Sequence, residues 1–168
     1  MSLRRVATGL GVTAPALYAH VASKDELLEA VAAEEFAELV VAIEGSTVGL
    51  TDPVERIAVQ SHAYVDHVRS HPALFELMTV FRPGWVPQPA APELAVASRS
   101  FEVSTVAVHD AIAAGLLRDT DPLMVSLTLW AAAHGVVAVL LSEPNLGDEY
   151  EQALVDSVID SVVRGLRA

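Results

Sequence analysis

Apolar side chains recur at intervals of three and four residues along most of the chain, the spacing of helices that bury one face. The first two predicted helices are short. One spans Ser2–Leu10 and ends at Gly11, a residue type that accepts the left-handed conformation after a helix. The other follows Thr13, a capping residue, and ends near His20. Two short helices joined by a tight turn that contains glycine predict a helix-turn-helix.

Longer helices fill the rest of the chain. Ser23 and Glu26 have the spacing of a capping box, and the helix that they begin is predicted to reach about Glu44. Later helices are predicted, in chain order, over 53–70, 73–81, 93–114, 122–141 and 148–166. Because prolines crowd the stretch from Arg82 to Pro92, a loop is predicted there.

This pattern predicts an all-α protein, since no segment alternates apolar and polar residues as a half-buried strand does. We expect a helix-turn-helix head with its connecting helix over residues 1–44. A helical bundle for ligand binding and dimerisation is expected over residues 45–168, beginning with a linker at 45–50.

Composition narrows the classes of protein. The chain has no cysteine, which excludes a disulfide scaffold and a thiol enzyme and fits the reducing cytoplasm. Arg4 and Arg5 are not followed by the apolar stretch of a signal peptide. The uncharged stretch Leu123–Leu141 is long enough to span a membrane, but its acidic flanks favour a helix buried in a bundle or dimer interface. A cytoplasmic protein with no membrane partner is therefore expected.

Charge is distributed unevenly along the chain. The net charge is −12, but residues 1–33 are neutral overall and the remainder carries the whole excess of acid. Because DNA is a polyanion, the N-terminal segment is the part that it can approach at the lowest electrostatic cost.

The N-terminal segment also carries an ordered motif. The run from Val6 to Leu28 contains Leu-Gly-Val, Pro-x-Leu-Tyr-x-His-Val and Lys-Asp-Glu-Leu-Leu. It resembles the helix-turn-helix of the TetR family of bacterial transcriptional regulators. The resemblance implies a DNA-binding head joined by a connecting helix to a helical, ligand-binding body that dimerises, with Tyr18 and Lys24 on phosphates. The candidate DNA-binding residues are Arg4, Thr13, Ala14, Pro15, Ala16, Tyr18, His20 and Lys24.

Members of this family have a further helix before this point, and the chain begins without it. Where that helix is absent, Val6, Leu10 and Leu17 are expected to lose cover. This leaves an alternative open, a helical small-molecule-binding or dimerisation protein whose shortened head does not bind DNA.

The body carries a second resemblance, through Tyr64, the run His71–Phe75 and the run Trp130–Gly135. These residues look like the TetR C-terminal subclass named for its Trp, His and Gly. Trp130 and His134 lie one helical turn apart, so they share a face. An apolar pocket with few polar groups is typical of a small-molecule site. The candidate ligand-binding residues are Phe75, Met78, Trp85, Phe101, Trp130 and His134.

The alternative for this cluster is structural, with Trp130 in the core and His134 as a hydrogen-bonded core histidine. His62, His67 and His71 raise the question of a metal, but no His-Glu-x-x-His pattern is present and no metal site is predicted. No catalytic or cofactor-binding motif stands out either, so neither an enzyme nor a cofactor is expected.

Together these features predict a regulator, most simply a repressor, that a small hydrophobic molecule releases from operator DNA. The last two helices are expected to form a four-helix bundle with their copies in a homodimer. The apolar residues predicted for that interface are Val125, Leu129, Val136, Leu140, Leu154, Val158, Ile159 and Val162.

Overall fold

The computed structural model describes residues 2–80, 92–142 and 146–168, and the side chains of all these except 78–80, 92–98 and 100. The described residues form helices, which confirms the all-α prediction. In chain order the helices are α1 Leu3–Gly9, α2 Ala14–Tyr18, α3 Lys24–Ser46, α4 Pro53–Ser70, α5 Pro72–Val80, α6 Pro92–Ala113, α7 Pro122–Ser142 and α8 Asp148–Leu166.

The turn between α1 and α2 is a Schellman motif. The amide of Val12 donates to the carbonyl of Ala7, and the amide of Gly11 donates to the carbonyl of Thr8. Gly11 has a φ of +69°, the left-handed conformation predicted for it. This turn fixes the angle at which α2 leaves α1.

Side-chain caps begin the first three helices as the sequence predicts. The hydroxyls of Ser2, Thr13 and Ser23 each accept a hydrogen bond from the amide three residues later. The Glu26 carboxylate accepts from the amide of Ala22, one residue before the position expected in a capping box. α3 then runs to Ser46, two residues beyond the predicted end.

The core of the body joins α3 through α8. Its members with no exposed surface are Leu39, Val65, Val68, Leu74, Val108, Ala111, Val137 and Ile159. α3 packs against α4, α5 and α6, while α8 packs against α4 and α7. α3 is thus shared by both parts, since its N-terminal end follows the helix-turn-helix and its C-terminal half is embedded in the body.

Within the first two helices and their turn, Leu10 is 66% exposed and Val12 is also exposed. The prediction of apolar interface residues on the last two helices is wrong in part. In the C-terminal helices, five of the residues predicted for a dimer interface are buried in the core of the same chain, because α7 and α8 pack against α4. These five are Val125, Leu129, Val136, Leu140 and Ile159.

α7 is, by length and composition, apolar enough to cross a membrane. Its face with Val125, Leu129 and Val136 packs into the core, as in a core helix of a soluble protein. The helix is therefore weak evidence for a membrane.

Candidate functional site

The residues predicted to contact DNA lie on α2 and its flanks. Arg4, Tyr18, His20 and Lys24 are exposed, and so are Thr13, Pro15 and Ala16, while Ala14 is half-buried. The Tyr18 ring is apolar apart from its hydroxyl, yet it is 51% exposed. An exposed tyrosine hydroxyl is suited to form a hydrogen bond with a phosphate of a nucleic acid.

Thr13 has a structural role besides any contact with DNA. Its hydroxyl oxygen caps α2 by accepting from the amide of Ala16 at 3.3 Å. Its hydroxyl proton remains available for an acceptor such as a phosphate oxygen. Arg4 precedes this turn on α1, where its carbonyl accepts from the hydroxyl of Thr8.

A stack of three rings forms the second candidate site. The ring centroid of His134 on α7 lies 4.7 Å from that of Phe75 on α5 and 4.9 Å from that of Trp130. Both rings are stacked on the imidazole, with interplanar angles of 28° for Phe75 and 25° for Trp130. The sequence prediction that Phe75, Trp130 and His134 come together therefore agrees with this geometry.

Tyr64 on α4 completes the cluster, and the sequence prediction did not include it among the ligand-binding residues. Its hydroxyl oxygen lies 2.9 Å from Nδ1 of His134, and Trp130 acts on its pKa as a hydrogen-bonding neighbour. The ring itself is buried. No spacing rule reveals this partner, since Tyr64 and His134 are 70 residues apart.

Burial favours the neutral form of both polar members. It raises the pKa of Tyr64 well above its ordinary value, and the hydrogen bond with Trp130 opposes this only partly. Burial also lowers the pKa of His134 below its ordinary value of 6.5. At neutral pH the cluster is therefore an uncharged, mostly aromatic surface with hydrogen-bonding groups.

Trp130 is 45% exposed, so the stack ends at a surface rather than deep in the core. Phe101 on α6 is half-buried, but no ring contact joins it to the stack among the described residues. Met78 and Trp85 lie outside the described side chains. The prediction that these three line a ligand site stays a prediction.

The histidines around the end of α4 have structural partners. Nδ1 of His71 donates to the carbonyl of His67 at 2.8 Å, which caps the helix as its place before Pro72 suggests. The rings of His67 and His71 stack at 4.3 Å. His62 contacts Asp156 on α8. Over residues 2–80, 92–142 and 146–168, no three side chains of metal-binding type are grouped to hold an ion.

A cleft of about 290 Å³ lies between the start of α4 and the end of α8. Its lining includes Asp52, Glu55, Asp160, Arg164 and Arg167, so side chains of both charges face it. None of the predicted site residues lines this cleft.

Comparison with known families decides the class of protein. Residues 57–162 match the family described as "Tetracyclin repressor-like, C-terminal domain", and residues 1–31 match "Bacterial regulatory proteins, tetR family". The chain belongs to the TetR family. A comparison with curated proteins gives no match.

Solved structures of other proteins share the TetR fold with this chain. A protein of unknown function from Rhodococcus sp. RHA1 is 27% identical, with a TM-score of 0.82 over 100% of this chain and 86% of that one. The ketosteroid transcriptional regulator KstR2 of Mycobacterium tuberculosis is 19% identical, with a TM-score of 0.76 over 100% and 85% of the two chains. The fatty acid degradation regulator FadR from Bacillus halodurans is 15% identical, with a TM-score of 0.76 over 99% and 89%.

As a member of the TetR family, the chain is a DNA-binding transcriptional regulator and not an enzyme, as predicted. Its helix-turn-helix lies within residues 1–31, the segment that matches the family, and the DNA contacts of single residues stay predictions. The finer resemblance to the Trp-His-Gly subclass stays a prediction.

Proposed function

We propose that this TetR-family chain is a homodimeric, cytoplasmic repressor that a small hydrophobic molecule releases from its operator. The aromatic cluster of Tyr64, Phe75, Trp130 and His134 carries this proposal, because it unites uncharged rings and hydrogen-bonding groups at a partly open surface. Two proteins of similar fold, a ketosteroid transcriptional regulator and a fatty acid degradation regulator, have names that fit an apolar ligand class.

The helices of the body provide a physical route from this cluster to the head. Phe75 lies on α5, which packs against α3, and α3 begins directly after the helix-turn-helix. A ligand that binds better when α5 and α7 are displaced shifts the population toward that arrangement and moves α3 with it. The two heads of a dimer then no longer match the spacing of the half-sites.

On DNA, we propose that Tyr18 and Lys24 hold phosphates while Arg4, His20 and the α2 residues Thr13 to Ala16 face phosphates or base edges. The exposure of these side chains, all but the half-buried Ala14, supports these roles. The neutral charge of residues 1–33 beside a strongly acidic body supports an approach through the head alone.

The first experiment selects bound sites from a random DNA library and measures affinity for the enriched palindrome as a function of salt. Lys24→Ala should weaken binding to all sequences and reduce the slope of log affinity against log salt by about 1. Arg167→Ala, which removes a positive charge at the far end of α8, serves as the matched control and should leave the slope unchanged. A slope that does not change in Lys24→Ala would contradict the phosphate contact.

A second candidate function is a binding or dimerisation protein whose head does not engage DNA. The library selection separates the two candidates, because a protein of this second kind enriches no palindrome while it still binds the hydrophobic ligand.

A further inference from the structure

The part of the head that contains α2 lacks the side chains that most often identify bases by hydrogen bonds. From Val6 to Ser23 the chain has no Arg, Lys, Asn, Gln, Asp or Glu. Arg and Lys bind the edge of guanine, Asn and Gln bind that of adenine, and Asp and Glu accept from cytosine. This segment therefore cannot identify a base pair through any of these contacts.

Several hydroxyl groups of the segment already bind the backbone. The Thr8 hydroxyl donates to the carbonyl one turn earlier in α1, at 3.0 Å. The hydroxyl oxygens of Thr13 and Ser23 accept from amides in the first turns of α2 and α3. Tyr18 and His20 form no hydrogen bond within the described residues, but they lie at the last position of α2 and beyond it. The beginning of α2 thus offers few polar groups to a base.

The solvent-facing surface at the beginning of α2 consists mainly of methyl and methylene groups. Pro15 and Ala16 are exposed, Ala14 is half-buried, and the exposed Thr13 adds the methyl group of its side chain. α2 is the second helix of the helix-turn-helix. In this motif the second helix lies in the major groove, with its side chains at the base edges. The groove would therefore meet an apolar surface.

We infer that α2 recognises thymine, through apolar contacts of Pro15, Ala16 and the Thr13 methyl with the 5-methyl group of the base. Of the four bases, only thymine presents a methyl group in the major groove. Cytosine presents an amino donor there instead, and against an apolar surface this donor loses its water without gaining a partner. The operator half-site is then expected to carry thymine where α2 contacts it. This inference rests on the proposed placement of α2 at base edges and adds the base that it selects.

The test uses the full chain and the palindrome enriched from the random library. Thymines of the half-sites are replaced one position at a time by deoxyuridine, which lacks the 5-methyl group and keeps the hydrogen bonds of the base pair. Loss of one contacted methyl group should weaken binding roughly threefold, and loss at the equivalent position of both half-sites roughly tenfold. Thymines outside the half-sites are the control and should tolerate the replacement.

The reverse substitution tests for a gain of affinity. Cytosine in place of a contacted thymine should weaken binding, because the methyl group is lost and an amino group takes its neighbourhood. Methylation of this cytosine at C5 should restore part of the affinity, since the new methyl group occupies the place of the thymine methyl.

Protein variants assign the contact to α2. In Pro15→Ala or Ala16→Gly, the penalty for deoxyuridine at a contacted position should shrink, because the carbon atoms that meet the methyl group have been removed. If Ala16→Gly does not fold, Pro15→Ala supplies the test. Ala19→Gly changes another exposed alanine, just after the end of α2, and should keep the full penalty.

Two outcomes overturn the inference: deoxyuridine binds as well as thymine throughout the half-sites, or the penalty is unchanged in both Pro15→Ala and Ala16→Gly. Its failure is distinguishable from failure of the proposed function. A chain that enriches a palindrome but is insensitive to deoxyuridine contradicts thymine recognition and leaves the repressor standing. An unchanged salt slope in Lys24→Ala contradicts the proposed phosphate contact and leaves thymine recognition standing. A chain that enriches no palindrome contradicts both.

Discussion

Tyr64 is buried in the body, and the hydrogen bond between its hydroxyl and His134 links α4 to α7. A buried hydroxyl that loses its acceptor keeps the cost of desolvation without compensation. At the residue scale, the roles of Tyr64 and His134 therefore have to be measured together.

We predict that His134→Leu lowers the free energy of unfolding by about 1–3 kcal/mol, since it removes the hydrogen bond between His134 and the buried Tyr64 side chain. Tyr64→Phe should cost less in the His134→Leu chain than in the wild type, because that hydrogen bond is already lost. Urea denaturation of the wild type, both single variants and the double variant measures the coupling. Strictly additive effects would show that the hydrogen bond contributes nothing to stability.

Acidification should destabilise the fold through its buried histidines. Burial, and then the neighbouring His71, lower the pKa of His67, while Glu38 and Glu35 on α3 act in the opposite direction. The imidazole of His67 thus binds a proton less readily in the folded protein than in the unfolded chain. The associated stability is complete above the ordinary pKa of 6.5 and is lost as the pH falls through that value toward the folded pKa.

The prediction concerns the change in urea midpoint between pH 7.5 and pH 5.5. This change should be smaller in His67→Gln than in the wild type, because the variant has no proton to bind at that position. His109→Gln, an exposed histidine, should keep the wild-type change. An equal loss in all three proteins would contradict a role for His67.

The same scale shows what a sequence reveals about single residues. Tyr18, His20 and Lys24 could be selected as candidates because they lie within one local motif. The pairing of Tyr64 with His134 and of Glu151 with Arg69 could not be predicted, since these partners lie 70 and 82 residues apart and no local pattern records such a pairing. For the candidate site, the sequence therefore predicted the ring cluster but not the hydrogen bond that orients its histidine.

At the scale of the elements, two ion pairs join helices, and the side chains of these pairs differ greatly in exposure. Arg69 on α4 pairs with Glu151 on α8, whose side chain is only 7% exposed. Arg99 on α6 pairs with Glu44 on α3 at 3.4 Å, with both side chains exposed. The first pair connects α4 to the helix that ends the chain, and its loss leaves a carboxylate in the protein interior.

Arg69→Leu is expected to lower the free energy of unfolding by about 2 kcal/mol. This is less than the roughly 3–5 kcal/mol typical of a fully buried pair, because solvent reaches Arg69. Arg99→Leu is the matched control and should cost at most about 0.5 kcal/mol, as surface pairs do. Equal costs in thermal or urea denaturation would contradict the importance of burial at Glu151.

The ends of the helices were predictable wherever the residues that begin or end a helix lie next to it in the sequence. Ser2, Thr13 and Ser23 cap helices with their own side chains, and Gly11 adopts the turn conformation that only its lack of a Cβ makes inexpensive. α7 differs, because it is apolar around its whole circumference. Its sequence cannot distinguish the face that packs in the core from the face that meets a partner, and the interface predicted from it contained core residues for that reason.

At the scale of the whole molecule, α7 has an apolar surface that the described chain does not cover. Its exposed residues follow one face, from Met124 through Ala131 and Gly135 to Val139. Small residues in the middle of such a face allow another helix to approach closely. On α8, Leu154, Val158 and Val162 are only partly buried and lie at the margin of the core. We expect these surfaces of α7 and α8 to form the two-fold interface of the proposed homodimer.

Val139→Glu is the sharpest test of this interface, since the side chain is exposed in the isolated chain and its replacement leaves the core intact. Val158→Glu is less suitable, because that residue packs against the core and its loss also destabilises the fold. Sedimentation velocity at micromolar concentration should give a dimer for the wild type and a monomer for Val139→Glu, because an isologous contact buries the new charge on both subunits.

Val48→Glu is the matched control. It introduces the same charge at a valine that is 82% exposed, beyond the end of α3, and should remain dimeric. A wild-type monomer, or dissociation of both variants alike, would show that the partner surface lies elsewhere on the molecule.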